Sequence, residues 1–538
     1  MNLFNSIIVS GLLVVLLNLF INGTINKRII LSFLVFIAAF YRIYYFTYMG
    51  INMDEAMVGV NSNSLANWGV DLVLNKNPMY LYAWGSGMNI LYPLIVVPFI
   101  KILGLSIFSV RLPIVILSLF SIIYFNFALE KANVRLKLRI VLNYFIFLVP
   151  YTININRLAI ESMLLPILLI LLIGNFFLID ADVKKDYVLL FSSFLFTLMA
   201  YSYSGYWVML FLLIPLFYAF FIVKFKRLKI VILGLIFNSL SMFPILLFVI
   251  GNYVTHRSYV LLNITIPYLA SSRSSQFVIS ETSHPINNIF NNLINFVTLV
   301  NTGNDGLIWF SRPGENSLVL GLFIFVIIGL IYLIGNKSTL SYLMLILAFS
   351  TLPIILLISS TLTHLNGVII VLLTFAAFGV NSILNTTYAK LGFSIAAITG
   401  LLFFNYNYLK NRTLIRNDFA QWSNVYSSSY GKAIKFASKV SKDRECYVLS
   451  QRTGQYVYYL FYSKMSPYKF NKEKGKEIFA GGRDINSYNK IGKWHFDIKD
   501  LHTLNDNGVY IIPGNLNMQA VNLDHFKIKK FNDYTVLY

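Results

Sequence analysis

The segment YWVMLFLLIPLFYAFFIV (206–223) is followed by KFKRLK (224–229) and then by IVILGLIFNSLSMFPILLFVI (230–250). Each apolar run has the length that crosses the hydrocarbon core of a bilayer as a helix. The basic hexapeptide between them is typical of a cytoplasmic loop, because Lys and Arg are retained on that side of the membrane. This stretch therefore predicts two transmembrane helices joined by a cytoplasmic turn.

The composition of the whole chain extends this prediction. Of its 538 residues, 57% are hydrophobic and only 12% are charged, whereas a soluble domain carries about 25% charged residues. The net charge of +21 comes from 43 Lys and Arg against 22 Asp and Glu. Basic cytoplasmic loops account for much of this excess, so we expect the lipid bilayer and no nucleic acid as a partner. The single cysteine, Cys446, excludes an intrachain disulfide and a cysteine-based metal site.

Apolar runs predict about twelve transmembrane helices, with both termini outside. They cover residues 6–21, 29–47, 112–129, 140–155, 163–179, 188–202, 206–223, 230–250, 318–335, 339–358, 367–383 and 391–407. In this arrangement the dense basic clusters 130–139 and 224–229 both fall inside. The apolar stretch 90–104 would reverse that placement if it crossed the membrane, so we expect it to lie along the outer interface. The first run lacks a basic start and a clear cleavage site, which favours a retained helix over a signal peptide.

The predicted fold class is an all-α polytopic membrane protein with a small extracytoplasmic α/β domain at its C-terminus. Residues 1–28 are predicted to form an extra N-terminal transmembrane helix, and residues 29–407 are predicted to form the main transmembrane domain. Its long outer loops are 48–111 and 251–317. Residues 408–538 turn polar and basic, and they form the soluble domain. The stretch 429–440 has helical spacing there, and short strands are predicted at 445–450, 508–514 and 534–538.

Two adjacent acids, Asp54 and Glu55, open the first outer loop in GINMDEAMVG (50–59). Acidic side chains beside apolar spans are costly to place and are functional candidates by default. An adjacent pair does not project to one point, so one acid is expected to face a site while the other packs or caps. Asp54 as the cap of a helix that starts at Glu55 is one alternative, and a solvated turn is another.

A second candidate pair, Arg157 and Glu161, lies in NINRLAIES (154–162). The spacing of i and i+4 places both side chains on one face of a helix. The pair is either a structural ion pair at a helix end or a second acid beside a phosphate-binding arginine.

Further cations are assigned to the outer side, and each has a simple alternative role as an interfacial anchor. If they converge, such groups suit a phosphate leaving group. They are Arg111, Arg257, Arg312 and His364. The chain contains no Walker A, GxGxxG or HExxH motif and no inner loop long enough for a nucleotide-binding fold. We therefore expect outer-face chemistry with an activated donor that is presented from the membrane as a lipid-phosphate conjugate.

The order and sidedness of these motifs resemble the polytopic GT-C glycosyltransferases, especially the bacterial branch that is similar to protein O-mannosyltransferases and aminoarabinose transferases. The resemblance covers most of 29–407. It is carried by MDEA (53–56), YLYAWGSGMNILYP (80–93), GLSIFSVRLP (104–113), RLAIESMLLP (157–166) and TGNDGLIWFSRPGENS (302–317).

This resemblance implies a hexosyl or pentosyl transferase in the bacterial plasma membrane, with its active site and C-terminal domain on the extracytoplasmic face. The sugar would move from a polyprenyl-phosphate donor to a cell-envelope glycan, teichoic acid, lipid or protein, with inversion. The implied catalytic acids are Asp54, Glu161 and Glu55. The implied phosphate ligands are Arg157, Arg257, Arg312, His364 and Arg111. A divalent cation is possible in this family; Asp54 and Glu161 would be its ligands, and nothing in the sequence demands it.

Three other functions share features with this hypothesis. A transporter or flippase of lipid-linked sugars uses the same partner, but it predicts internal repeats and charges near the middle of the membrane. An outer-face glycan polymerase or ligase uses the same donors. A nonenzymatic assembly protein would dock a polyanion on the basic C-terminal domain.

Overall fold

The computed structural model describes residues 3–19, 24–44, 46–47, 50–269, 277–278, 284–303, 305, 318, 321–414, 428–450, 453–479, 486–498, 507–514 and 523–538. The chain is mostly helical and carries a sheet near its C-terminus, which confirms the predicted fold class. The contacts between its residues divide the chain into two compact units. Unit 1 contains residues 1–46, 114–245 and 276–407, and unit 2 contains residues 47–113, 246–275 and 408–538. Unit 2 combines the whole of the predicted outer loop 48–111 with the C-terminal segment, a grouping that composition alone does not indicate.

Helices occupy every predicted span. In chain order they are α1 (Leu3–Asn18), α2 (Ile25–Ile43), α3 (Met53–Trp68), α4 (Leu91–Leu103), α5 (Ile107–Lys131), α6 (Leu136–Asn143), α7 (Pro150–Ile155), α8 (Leu164–Asp180), α9 (Lys185–Ser202), α10 (Trp207–Phe225), α11 (Leu228–Tyr253), α12 (Pro285–Thr302), α13 (Leu322–Asn336), α14 (Thr339–Leu357), α15 (Asn366–Ile383) and α16 (Thr387–Leu414). Among the described residues, six helical segments are long and apolar enough to cross a membrane, and three shorter apolar helices accompany them. The protein is therefore a multi-pass membrane protein.

The helices of unit 1 differ in how much apolar surface they bury. Every residue of α8 from Leu164 to Ile179 is buried, so this helix is central. In α11, by contrast, large side chains such as Leu240 and Leu246 are exposed, as is typical of a helix that faces lipid. Within the membrane a helix satisfies its own backbone hydrogen bonds, which leaves its side chains free to be apolar on every face.

The fourth predicted span is broken. It consists of α6, a π-helical turn (Tyr144–Leu148) and α7, which begins at Pro150. Arg42 of α2 is fully buried beside this break, and its Nη1 donates to the carbonyl of Phe147 at 3.0 Å. Its Nε donates to Ser118 Oγ at 2.7 Å. Breaks of this kind accompany functional sites, and this one sets the path of the chain that follows α7.

Unit 2 contains a six-stranded mixed sheet in the order β11-β12-β10-β5-β9-β8. Strands β9, β5 and β10 run parallel to one another, and the outer strands pair antiparallel. The strands are β5 (Cys446–Leu449), β8 (Lys490–Ile491), β9 (Trp494–Ile498), β10 (Val509–Pro513), β11 (Ile528–Phe531) and β12 (Tyr534–Leu537). Short hairpins complete the set: β1 (Tyr80–Leu81) with β2 (Met88–Asn89), β3 (Tyr259–Leu261) with β4 (Ile264–Ile266), and β6 (Glu477–Phe479) with β7 (Asn486–Tyr488).

Three helices accompany this sheet: α17 (Ser428–Val440), α18 (Tyr456–Ser463) and α19 (Pro467–Glu473). Helix α17 and strands β5, β10 and β12 match the elements that were predicted from sequence in this region. A hydrophobic cluster that includes Leu449, Ile512 and Leu537 forms part of the core. The C-terminal segment is thus an α/β structure.

Candidate functional site

The first outer segment begins with a capped helix. The side chain of Asn52 accepts a hydrogen bond from the Glu55 amide at 2.8 Å, and Glu55 Oε2 accepts from the Asn52 amide at 3.1 Å. This is a capping box, which satisfies amides that the first helical turn leaves unpaired. The alternative in which Asp54 caps the helix is therefore wrong, because α3 starts at Met53 and Asn52 is its cap.

Glu55 and Arg111 form a buried ion pair. Glu55 is fully buried and Arg111 is 1% exposed. The guanidinium binds the carboxylate through two nitrogens, with Nε to Oε1 at 2.7 Å and Nη2 to Oε2 at 2.5 Å. Arg111 Nη2 also donates to the carbonyl of Gly50 at 2.8 Å. This fork geometry is the strong form of an arginine–carboxylate contact, so Arg111 ties the start of α5 to the start of α3 rather than extending to the membrane interface.

Asp54 lies between Met53 and Glu55 on the first turn of α3, and it is half-buried. Successive side chains on a helix project about 100° apart, so Asp54 points away from the direction of Glu55. The structure thus separates the adjacent acids in the manner the sequence predicts: one packs in the interior and the other keeps partial exposure.

The environment of the Glu55–Arg111 pair includes Tyr462 of α18. Burial of its phenol raises the pKa of Tyr462 to about 12; the positive charge of Arg111 opposes this rise and the negative charge of Glu55 adds to it. Tyr462 therefore stays neutral at physiological pH. A further acid of the first outer segment, Asp71, accepts hydrogen bonds from the amides of Val73 and Asn75 at 3.0 and 2.8 Å, and burial raises its pKa.

Arg257 lies just before strand β3 in unit 2, and its side chain is exposed. The guanidinium carbon lies 5.2 Å from the centre of the Tyr259 ring, and Nε donates to the Tyr259 hydroxyl at 3.3 Å. These contacts are local, because Arg257 and Tyr259 are only two positions apart in the chain.

In unit 1, Arg157 and Glu161 do not lie on one helical face as predicted. Helix α7 ends at Ile155, Arg157 occupies a turn, and Glu161 begins a 3₁₀ turn (Glu161–Met163) that leads into α8. The i and i+4 rule requires continuous helix, and the intervening residues are not helical. Half-buried Arg157 donates through Nη2 to the carbonyl of Tyr44 at 3.0 Å, and Glu161 is 4% exposed.

His364 lies in a well-fixed loop between α14 and α15. Its Nδ1 is 2.9 Å from Ser359 Oγ and 3.1 Å from the Ser359 carbonyl. A carbonyl only accepts, so its hydrogen bond requires a proton on Nδ1. The imidazole is roughly parallel to the Tyr203 ring, with centroids 6.5 Å apart.

Two residues that the sequence did not select hold this loop. Asp305 Oδ2 accepts from the Leu362 amide at 2.9 Å, and the Tyr151 hydroxyl donates to the Leu362 carbonyl at the same distance. Asp305 lies in the stretch 302–317 that carries the family resemblance, so an acidic residue at this place is the signal by which sequence reasoning could have selected it. For Tyr151 no signal exists in the sequence, because tyrosines are abundant throughout the chain.

Close to Glu161, two buried polar atoms have no hydrogen-bond partner among the described residues: Ser162 Oγ and Asn366 Oδ1. Asn366 Nδ2 donates to the Ser162 carbonyl at 2.6 Å, so the two residues are neighbours. Unsatisfied buried acceptors of this kind bind water or a ligand hydroxyl. The surroundings of Glu161 are therefore polar inside an apolar helix bundle.

The predicted site residues fall in both units. Asp54, Glu55, Arg111 and Arg257 belong to unit 2, whereas Arg157, Glu161 and His364 belong to unit 1. Arg312 lies outside the described residues. Within the described ranges no group of three or more His, Cys, Asp or Glu side chains is arranged to hold a metal ion. A divalent cation at Asp54 and Glu161 stays a prediction.

The chain has a fold similar to that of ArnT, which agrees with the resemblance that the sequence shows. The crystal structure of ArnT from Cupriavidus metallidurans bound to undecaprenyl phosphate is similar to the chain with a TM-score of 0.53 and 10% sequence identity. That similarity covers 94% of this chain and 97% of the ArnT chain. The apo-state structure of the same ArnT gives a TM-score of 0.48 at 10% identity, with the same coverage. No family model and no curated protein matches the sequence.

Proposed function

We propose that the protein is a membrane glycosyltransferase that moves a sugar from a polyprenyl-phosphate donor to an acceptor on the extracytoplasmic face of a bacterial plasma membrane. The observation that carries this proposal is the position of Asp54 on the first turn of α3, half-buried beside a fully buried and ion-paired Glu55. The fold supports the same class of enzyme, and the similar ArnT structure contains undecaprenyl phosphate, which supports the class of donor.

In the proposed reaction an acceptor hydroxyl oxygen attacks the anomeric carbon of the donor sugar. The new glycosidic bond forms as the bond between that carbon and the phosphate oxygen breaks, and the electron pair leaves with polyprenyl phosphate. The Asp54 carboxylate takes the proton of the acceptor hydroxyl, as a general base of this type does. A single displacement inverts the configuration at the anomeric carbon.

The leaving phosphate needs positive partners, and the proposal divides the cations into two groups. Arg157, Arg257, Arg312 and His364 are proposed as phosphate ligands. Arg111 is proposed as the fixed counter-ion of Glu55, because both edges of its fork are engaged by protein acceptors. Glu55 then serves to hold α3 in place, and Glu161 shapes the polar surroundings of the acceptor or orients Arg157.

The experiment uses the purified full-length protein in nanodiscs with a pool of labelled polyprenyl-phosphate sugars and a cell-envelope extract as the acceptor. The measurement is the release of free polyprenyl phosphate together with transfer of label. Asp54→Asn is expected to lower turnover by about 100-fold or more, since a positioned base contributes about 10²–10⁴. Donor binding should be retained. Asp443→Asn, which changes an exposed acid of the same unit, is the matched control and should leave turnover unchanged.

Two results would count against the proposal. Full transfer by the Asp54→Asn variant would remove Asp54 from the reaction. Absence of donor turnover, combined with movement of intact lipid-linked sugar between the leaflets of proteoliposomes, would favour the transporter.

A further inference from the structure

Helix α18 of the C-terminal segment packs closely on α3. A Cβ placed on Gly59 of α3 would lie 2.7 Å from Cε2 of Phe461 and 3.1 Å from Cγ2 of Val110. Carbon atoms do not approach that closely, so a methyl group at this position would require the buried Phe461 ring or one of the helices to shift. Val110 immediately precedes Arg111 in α5. The ring of Phe461, which is 3% exposed, therefore fills the junction between α3 and the start of α5.

The next residue of α18 reaches the ion pair at that junction. Tyr462 interacts electrostatically with both Arg111 and Glu55, and its phenol is buried. Phe461 and Tyr462 are adjacent, so one turn of α18 packs on the middle of α3 and also lies within electrostatic range of the pair that anchors its beginning. Because both residues belong to one short helix, a shift of α18 would move both of them together.

The segment before α18 contacts the residue that precedes Asp54. A Cβ on Gly454 would lie 2.8 Å from Sδ of Met53 and 2.8 Å from the ring of Trp84. Met53 is the residue immediately before Asp54. Asp497 of strand β9 holds this turn, since its carboxylate accepts from the Gly454 and Gln455 amides at 3.1 and 3.2 Å.

The same docking extends over the first outer segment. Tyr456 contacts Trp84 edge-on, with ring centroids 5.9 Å apart. The Asn486 amide donates to the Trp84 carbonyl at 3.0 Å, and Asn471 Nδ2 donates to the Leu72 carbonyl at 2.8 Å. Tyr82 also donates to Glu477. A domain that only bound a distant polyanion would not need this set of contacts.

We propose that α18 is a brace that fixes the position of α3, so that the C-terminal domain is required for sugar transfer although it lies far from Asp54 in sequence. Phe461 and Tyr462 are its positioning residues, and Gly59 is the receiving position on α3. This inference rests on the proposed function of Asp54. Its physical reason is the steep dependence of catalysis on geometry, since a displacement of about 1 Å costs about 100-fold in rate.

The test is a compensation experiment in the full-length protein. Gly59→Ala is expected to reduce kcat by about 10-fold or more with little change in the KM for donor, because it forces α3 away from α18. Phe461→Ala leaves the brace loose and should reduce kcat less, by about 3-fold. Gly59→Ala combined with Phe461→Ala should recover to the level of Phe461→Ala alone, because the collision partner is then removed.

Matched controls are available in the same chain. Gly335→Ala adds a methyl group to α13 where nothing lies within 4 Å, and Tyr468→Ala removes a ring that is 53% exposed on α19. Neither control should change kcat. A Gly59→Ala enzyme with normal kcat, or a double variant no better than Gly59→Ala alone, would overturn the brace.

A second readout separates failure of the brace from failure of the proposed function. Amide hydrogen exchange across 53–68 reports the anchoring of α3 without any assay of transfer. Phe461→Ala is expected to raise exchange in this segment, and Tyr468→Ala is not. Raised exchange in a protein that transfers no sugar would retain the brace and reject the enzyme, whereas unchanged exchange would reject the brace.

Discussion

At the scale of single residues, the Glu55–Arg111 pair decides what each of two adjacent acids does. Asp54 and Glu55 are adjacent in the sequence, and we expect one of them to pack in the protein interior. Arg111, which is 56 positions away from Glu55, selects Glu55 because its guanidinium binds that carboxylate in the interior. Burial of two charges is costly unless each satisfies the other, so the pair specifies one arrangement of α3 and α5.

Loss of one partner from this pair is predicted to be severe. Arg111→Met leaves the Glu55 carboxylate buried without its counter-ion, which costs about 3–5 kcal/mol. Thermal unfolding in detergent should show a large fall in Tm. Arg227→Met is the control, because Arg227 and Asp186 form an exposed pair at 3.7 Å, and such pairs contribute about 0–1 kcal/mol. Equal Tm values for the two variants would contradict the assigned role of Arg111.

A residue-scale prediction that fails shows a limit of spacing rules. Arg157 and Glu161 have helical spacing, but α7 ends at Ile155 and the chain turns before α8. A spacing of four residues predicts a shared face only when the helix is continuous. Beyond the end of α7, Arg157 donates to the carbonyl of Tyr44, and local sequence does not report such a tertiary contact.

At the scale of elements, the closest helix contact in unit 1 that involves glycine joins α13 and α15. A Cβ on Gly329 would lie 3.0 Å from the amide nitrogen of Gly379, and a Cβ on Gly379 would lie 2.8 Å from that of Gly329. Each glycine thus faces the backbone of the other helix. Small residues at such crossings allow membrane helices to pack at close range, where van der Waals contact supplies the attraction.

This crossing gives a prediction with a control on the same helix. Gly329→Ala forces two backbones apart and is expected to lower stability by about 1–3 kcal/mol, the usual cost of overpacking. Gly335→Ala, where nothing lies within 4 Å, should raise helix stability by about 0.5–1 kcal/mol through lower backbone entropy. The readout is Tm in detergent or retention of fold under urea. A Gly329→Ala protein as stable as Gly335→Ala would exclude the close contact.

At the scale of the whole molecule, the distribution of charge predicts the orientation in the membrane. The basic loop 224–229 is expected inside, and the C-terminal domain is expected outside. In a Cys446→Ser background, Lys529→Cys should react with a membrane-impermeant maleimide in intact cells. Lys224→Cys should react only after permeabilisation. Both positions are exposed, so a reversed labelling pattern would mean a reversed topology.

The division into two units also belongs to this scale. The C-terminal segment differs from the rest in composition, and sequence therefore separates it. In the structure it forms one compact unit with the whole of the predicted outer loop 48–111. Composition shows which residues a segment contains, but it does not show which other segments those residues contact in the folded chain.

The sequence by itself determined the helical spans, the apolar stretch at 90–104 and the α/β nature of the C-terminal segment. These features follow from local patterns: the bilayer fixes the length of an apolar run, and strands and helices have their own periods. Tertiary structure alone decided that Glu55 is locked by Arg111, that Asp305 holds the His364 loop, and that α18 packs on Gly59. Each of these depends on residues far apart in the chain, whose meeting is set by the packing of the whole fold and by no local pattern.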